Sequence, residues 1–217
     1  MTISIGTSRL HAIRFGWLYS SEAPREHQPW NTVLAECEAA VALPSKGSMV
    51  PGWVLSLPRR PVLNLSHLTA DERTRLLAFS HQIATKVSHF APHLAQFEHG
   101  ATEPASLMGC GVDLAHLHTI PLPFNLISEA LKRTTDLVSW TEASNFDDPW
   151  VDATEGEYIV VRDLAAKRAV MGTPKRAESQ LIRRVIAAAI DHANKWDYSA
   201  FPCTEQVAVT LRAFGGQ

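Results

Sequence analysis

Apolar and polar positions alternate in short runs along much of the chain, a pattern typical of strands. The segments "TVLAECEAAVALP" and "GWVLSLP", joined by the turn-like "SKGSMVPG", predict two antiparallel strands. Further extended segments are expected at "HLAQFE" and "VDLAHLHTIP". A hairpin is expected later, where "EYIVVRD" and "RAVMG" flank "LAAK".

Helical spacing occurs between these strands. In "LTADERTRLLAFSHQIATKVSHF", Thr69 can cap the first turn while Glu72 reaches back to it. The segments "NLISEALKR" and "ESQLIRRVIAAAIDHANK" also predict helices, and a short last helix is expected after Thr204. Antiparallel hairpins with covering helices indicate an α+β fold, because strict alternation of strand and helix is missing.

The polar, turn-rich segment "SNFDDPWVDATEG" divides the chain. We therefore predict an N-terminal lead-in over residues 1–30, a core domain over 31–143, and a C-terminal extension over 144–217 that packs on the core.

Composition narrows the class of protein. The 217 residues are 46% hydrophobic, and 20 basic against 22 acidic side chains give a formal net charge of -2, so nucleic acid and anionic membranes are not expected partners. No apolar run approaches the length needed to cross a bilayer, and we expect a cytoplasmic protein. Three widely spaced cysteines without a CxxC pair favour reduced thiols.

The segment "GCGVDLAHLHTIP" carries the candidate chemistry. On a strand, the side-chain period of two places Leu114, His116 and His118 on one face. Near neutral pH one imidazole can act as a nucleophile while its neighbour donates a hydrogen bond to an anion, which suits attack on phosphorus. The backbone of Gly109, Cys110 and Gly111 can approach phosphate oxygens closely.

Two other interpretations of this pair stay open. Alternate strand positions can converge on a metal ion, with His99 supplying a third nitrogen to His116 and His118. The two histidines can also be partly buried, hydrogen-bonded residues without a function.

The segment "GCGVDLAHLHTIP" resembles the signature of the histidine triad (HIT) superfamily, in which three histidines alternate with apolar residues. His116 falls on the middle histidine, which attacks the α-phosphorus of a nucleotide in that superfamily. His118 falls on the third, which binds phosphate oxygens, whereas Leu114 replaces the first. The resemblance implies a HIT-like sheet and a nucleotidyl-histidine intermediate on His116.

The upstream segment "SKGSMVPGWVLSLPRRPVLNLSHLTADE" resembles HIT proteins as well, so that the likeness spans roughly residues 31 to 121. Ser45 stands where relatives contact the nucleoside, and Trp53 where many have histidine. Glu98 aligns with a polar residue that points at phosphate, and His99 is the candidate to substitute for the missing first histidine.

Four further residues are candidates for substrate binding: Arg59, Arg60, Gln180 and Arg183. The "AESQLIRR" segment that holds the last two resembles the tail of larger bacterial HIT-like proteins. The resemblance also implies a homodimer, a nucleotide-type small-molecule substrate and no cofactor.

Three functions compete on these grounds. The first is a HIT-type nucleotide hydrolase or nucleotidyl transferase. The second is a nucleotide-binding or interaction module impaired in catalysis, which Leu114 and Trp53 favour. The third is a metal-dependent enzyme that uses His116 and His118.

Overall fold

The computed structural model describes Leu10 and residues 13–215, and a single eight-stranded sheet organises them. Its strands are β1 (Ala35–Glu36), β2 (Ala40–Pro44), β3 (Val54–Pro58), β4 (His93–Gly100), β5 (Leu117–Leu122), β6 (Val138–Glu142), β7 (Tyr158–Asp163) and β8 (Arg168–Pro174). Its helices are α1 (Ala70–Val87), α2 (Leu126–Arg133), α3 (Leu181–Ala189) and α4 (Thr204–Ala213).

All strand pairs are antiparallel, and the spatial order is β1-β2-β3-β5-β4-β7-β8-β6. This arrangement with covering helices confirms the α+β prediction. The predicted hairpin over β7 and β8 is confirmed, and its strands extend the same sheet that β2 to β5 begin. The segment predicted as an extension after residue 143 therefore contributes strands to the central sheet.

One face of the sheet is covered by α1. The helix begins where the sequence predicted, because the Thr69 hydroxyl accepts a hydrogen bond from the Glu72 N–H while the Glu72 carboxylate accepts one from the Thr69 N–H. Its apolar side, including Leu76 and Ile83, packs on alternate strand residues such as Leu117 of β5.

The opposite face carries two separate apolar clusters. One contains residues of α2 and α3 with Trp53 and Phe97, and we call it the helix-side cluster. The other contains Phe15 from the N-terminal segment, residues of β2 and β3, and Leu114, and we call it the N-terminal cluster. The surface where these clusters meet lies over β3, β5 and β4, and this is where the candidate histidines lie.

Three element predictions need correction. β6 was not predicted, because it is a short strand with mostly exposed side chains that lies at the edge of the sheet beside β8. β5 begins at Leu117, so His116 immediately precedes the strand. The helix expected over "ESQLIRRVIAAAIDHANK" is limited to Leu181–Ala189, because Gln180 and Asp191 on either side adopt left-handed backbone angles.

Within the described part of the chain, every helix is too short or too polar to span a lipid bilayer.

Candidate active site

His116 and His118 share the sheet face that carries the two apolar clusters, and their ring centroids are 4.8 Å apart. The prediction that alternate residues of this segment share a face is confirmed, since Ala115 and Leu117 pack with α1 on the opposite side. His118 is buried, whereas His116, immediately before the first residue of β5, is partly exposed.

The His116 ring is held in one tautomer by the backbone. Its Nδ1 lies 2.8 Å from the carbonyl oxygen of Leu114, and because a carbonyl can only accept, Nδ1 carries the proton. Nε2 therefore presents a free lone pair. Burial, with the nearby charges of Arg14 and Arg183, lowers the pKa of His116 to about 4, so the ring is neutral at physiological pH.

His118 is held in the opposite tautomer by Trp53. The indole Nε1–H donates to Nδ1 of His118 over 2.9 Å, so the proton of this ring lies on Nε2. The ring also stacks on Phe97, with centroids 4.1 Å apart and planes inclined by 6°. Burial and the neighbouring His116 lower the pKa of His118 well below its ordinary value. The pair thus offers one acceptor nitrogen and one N–H donor.

The leucine at the first motif position is a core residue. Leu114 is buried in the N-terminal cluster among Phe15, Leu43 and Leu55. Its side chain fills this apolar space, while its carbonyl oxygen fixes the His116 ring. The contact that orients the candidate nucleophile is therefore independent of the side chain at position 114.

His99 lies beside the pair but makes its hydrogen bonds to protein groups. Its Nε2 accepts the backbone N–H of Ile182 in the first turn of α3 at 3.4 Å, and its Nδ1 lies 4.0 Å from the Cys110 sulfur. Burial lowers its pKa to about 3. His99 lines the cleft, yet this geometry suits a residue that positions α3 more than one that replaces the missing histidine.

The loop formed by Gly109, Cys110 and Gly111 borders the site, but it does not offer the expected set of free backbone N–H groups. The N–H groups of Gly109 and Cys110 already donate to the carbonyl oxygens of Ser106 and Leu107. Gly111 turns the chain with a φ of +72°, close to the Tyr198 hydroxyl. For Gly109 and Cys110 the prediction of backbone contacts to phosphate therefore does not fit the structure.

Gln180 and Cys110 join this loop to α3. The Gln180 N–H donates to the Cys110 sulfur, and its side-chain amide bonds to the 197–198 segment. Burial raises the pKa of the Cys110 thiol to about 11, which makes it a structural sulfur instead of a nucleophile.

Arg183 is brought to the cleft, as the sequence suggested, along with Ser45. Its guanidinium stacks on Trp53 at 4.4 Å and donates to the Ser45 hydroxyl and to the carbonyl oxygens of Gly47 and Trp196. Arg183 therefore supports the indole that orients His118, and it adds a buried positive charge behind the histidines.

Three polar cleft residues were not identified from the sequence: Arg14, Lys46 and Tyr198. Arg14 precedes the segment that resembles HIT proteins, Lys46 lies within it, and Tyr198 follows it. No local sequence pattern indicated that these side chains cover the histidines. The space they enclose measures 20 Å³, enough for about one water molecule. A nucleotide must therefore displace some of these side chains to reach His116.

Glu98 does not join the histidines. It alternates with Phe97 and His99 on β4, so its side chain points to the α1 face. There its carboxylate accepts hydrogen bonds from the Leu65 N–H, the Trp150 indole and the Tyr158 hydroxyl, and burial raises its pKa to about 7. The expectation that Glu98 faces phosphate does not fit this position.

Arg59 and Arg60 also lie away from the cleft. Arg59 pairs with Glu36, and Arg60 makes a two-bond ion pair with Glu72 at the start of α1. Both arginines border a separate surface depression, so their proposed contact with substrate does not fit the structure.

The metal interpretation finds no support in the arrangement of side chains. Among the described residues, no three or more His, Cys, Asp or Glu side chains are grouped so that they could hold a metal ion. His116 and His118 instead use one nitrogen each for hydrogen bonds that fix their tautomers.

Comparison with known proteins gives a family match over part of the chain. Residues 26–123, somewhat under half of the chain, match the family model of the HIT domain, and these residues include His116, His118 and Trp53. A search of curated proteins gives no match. One similar solved structure is a Hit-like protein involved in cell-cycle regulation from Bartonella henselae, with an unknown ligand; the match has 21% identity and a TM-score of 0.40, and covers 49% of this chain and 74% of that chain.

A likeness at that TM-score adds nothing to the assignment, which rests on the family model. The matched segment agrees with the resemblance carried by the "DLAHLHTIP" motif and by the sequence upstream of it. Residues 26–123 therefore match the HIT domain, the family to which the histidine motif and its upstream segment point.

Proposed function

We propose that this chain is a nucleotide hydrolase or nucleotidyl transferase that cleaves at the α-phosphorus of a nucleoside phosphoester, phosphoramidate or phosphoanhydride. One observation carries the proposal: two adjacent imidazoles are fixed in opposite tautomers, so that Nε2 of His116 has a lone pair and Nε2 of His118 has a proton. A nucleophile beside a hydrogen-bond donor is what attack on a phosphorus atom requires.

In the first step, Nε2 of His116 attacks the α-phosphorus, a P–N bond forms, and the bond to the leaving group breaks. The ring becomes positively charged as the bond forms. The Leu114 carbonyl, which accepts the Nδ1–H at 2.8 Å, stabilises that charge. Because the pKa of His116 is about 4, the lone pair is available across the neutral range.

During the same step, Nε2–H of His118 donates to a non-bridging oxygen of the α-phosphate. Trp53 holds the donor in place, and Arg183 adds a positive charge stacked behind the indole. In the second step, water or another acceptor attacks the phosphorus of the nucleotidyl-histidine and restores the His116 lone pair.

A test combines a substrate panel with variants of the nucleophile. Nucleoside monophosphate release is followed from adenosine and guanosine dinucleoside polyphosphates, phosphoramidates and aminoacyl-adenylates. Wild type is expected to turn over at least one class, and His116→Ala and His116→Asn to lose at least about a thousandfold in rate while nucleotide binding is retained. A rate retained in both variants contradicts the proposal.

One alternative is a HIT domain that binds nucleotides without catalysis, which the use of Leu114 as a core residue at the first motif position favours. This alternative predicts thermal stabilisation by nucleotides together with no release from any member of the panel.

A further inference from the structure

Arg14 holds two buried hydrogen-bond donor atoms above the face that carries His116 and His118. Its Nε and Nη2 atoms are buried, and neither makes a hydrogen bond with any described residue. The guanidinium lies over the rings of Phe15 at 4.6 Å and Tyr198 at 5.5 Å. Leaving charged donors buried and unpaired is costly, so this geometry suits an acceptor that arrives with the ligand.

Positive charge is concentrated around Arg14. The Tyr198 ring has three cationic groups near its centroid: Arg14 at 5.5 Å, Arg183 at 5.7 Å and the Lys46 ammonium at 5.9 Å. Within the described part of the chain, the residues that line the cleft include no Asp or Glu. The Glu26 carboxylate acts electrostatically on Arg14, and burial lowers the pKa of Arg14 only to about 10, so the charge persists at neutral pH.

The cationic groups around Tyr198 suit a leaving group that departs as an anion. A phosphate or sulfate can leave as an anion without a proton, and cationic donors then stabilise it.

We infer that Arg14, with Lys46 and Arg183 beside it, forms an anion subsite that holds a phosphate of the departing group. The inference rests on the proposed function and adds a leaving-group site to it. As Nε2 of His116 bonds to the α-phosphorus, the bonding electrons of the P–O bond pass to the leaving oxygen. The guanidinium of Arg14 then stabilises the negative charge on that oxygen. Arg14 and Arg183 lie outside the HIT domain at 26–123. The segments that flank the domain therefore supply part of the anion subsite.

A comparison of two adenosine substrates separates this role from a general one. Diadenosine triphosphate releases an anionic group, and adenosine 5′-phosphoramidate releases ammonia. Arg14→Gln is expected to lower kcat/KM about a hundredfold for the first and less than about threefold for the second, with part of the loss restored in Arg14→Lys. Equal losses for both substrates, or no loss for the triphosphate, overturn the inference.

Pyrophosphate binding gives a readout that does not depend on turnover. Calorimetry is expected to show at least about tenfold weaker binding to Arg14→Gln than to wild type. Arg75→Gln is the control, because it removes the same charge from an exposed arginine that pairs with Asp71 on α1. If binding depends on Arg14 but wild type turns over neither substrate, the proposed function fails and the anion subsite stands. Equal binding to wild type and Arg14→Gln overturns the subsite.

Discussion

At the scale of single residues, the chemistry depends on which nitrogen of each imidazole carries the proton. The Leu114 carbonyl and the Trp53 indole make opposite choices for His116 and His118, and each choice follows from one hydrogen bond. Trp53 is therefore both a core residue and a positioning residue, because its body packs in the helix-side cluster while its N–H points at His118.

Removing that N–H tests the role of Trp53. Trp53→Phe keeps an aromatic body but loses the donor to His118, so the His118 ring can adopt the other tautomer. We expect kcat to fall about tenfold to a hundredfold, with a change of the His118 nitrogen shifts in NMR spectra. Trp140→Phe is the matched control, since that indole donates to Thr134 beside the edge strand. If the His118 tautomer and kcat are both unchanged in Trp53→Phe, Trp53 is not a positioning residue.

The depressed pKa of His116 predicts the acid limit of activity. Nε2 is reactive only when unprotonated, so kcat/KM should be constant as pH falls through 6.5 and decrease only as it passes about 4. A pH profile recorded with a circular dichroism check for folding measures this. An acid limb centred near 6.5 contradicts the lowered pKa of His116.

Stability responds to acid at higher pH than activity does. The pKa values of His99 and His116 in the folded chain lie below the ordinary 6.5, so the unfolded chain binds more protons between 6.5 and about 4. The free energy of unfolding therefore falls as pH decreases through that window. Glu98, whose pKa is raised to about 7, acts in the opposite sense between its ordinary value and 7.

At the scale of elements, the segment before β5 shows why Leu114 is compatible with the site. The backbone there orients His116 through a carbonyl, while the side chain at 114 belongs to the N-terminal cluster with Phe15 and Leu55. The motif position is thus used for packing.

Restoring a histidine at this position is predicted to be harmful. Leu114→His places a polar ring among apolar residues of the N-terminal cluster, and we expect unfolding to become easier by about 2 kcal/mol with no gain in turnover. Leu114→Met, which nearly conserves volume, is the control and should cost less than about 1.5 kcal/mol. Denaturant unfolding measures both. Unchanged stability with faster turnover in Leu114→His contradicts this account.

Elements with strong local signals were predictable from the sequence. The capping box of α1 and the alternation across β5 are properties of neighbouring residues, so the helix start and the shared face of His116 and His118 could be predicted. The expectation for Glu98 came from the family resemblance, and it fails because alternation along β4 places Glu98 on the opposite face of the sheet from His99. β6 gave too short and too exposed a pattern.

At the scale of the whole molecule, the cleft is assembled from distant parts of the chain. Arg14 precedes the HIT domain, and Arg183 and Tyr198 follow it, yet all three lie around the same histidines. Such long-range proximity has no local sequence signal, which explains why Arg14, Lys46 and Tyr198 were not predicted. The homodimer and the cytoplasmic location stay predictions, and sedimentation equilibrium tests the first.

The most direct test of the central claim is to trap the covalent intermediate. Wild type and His116→Asn are mixed with diadenosine triphosphate, denatured rapidly under alkaline conditions that preserve phosphoramidate bonds, and analysed by peptide mass spectrometry. We expect an adenylyl group on His116 in wild type, lost on acid treatment and missing from the variant. Two results would contradict the proposed mechanism: turnover by wild type without an adduct on His116, or equal turnover by wild type and His116→Asn.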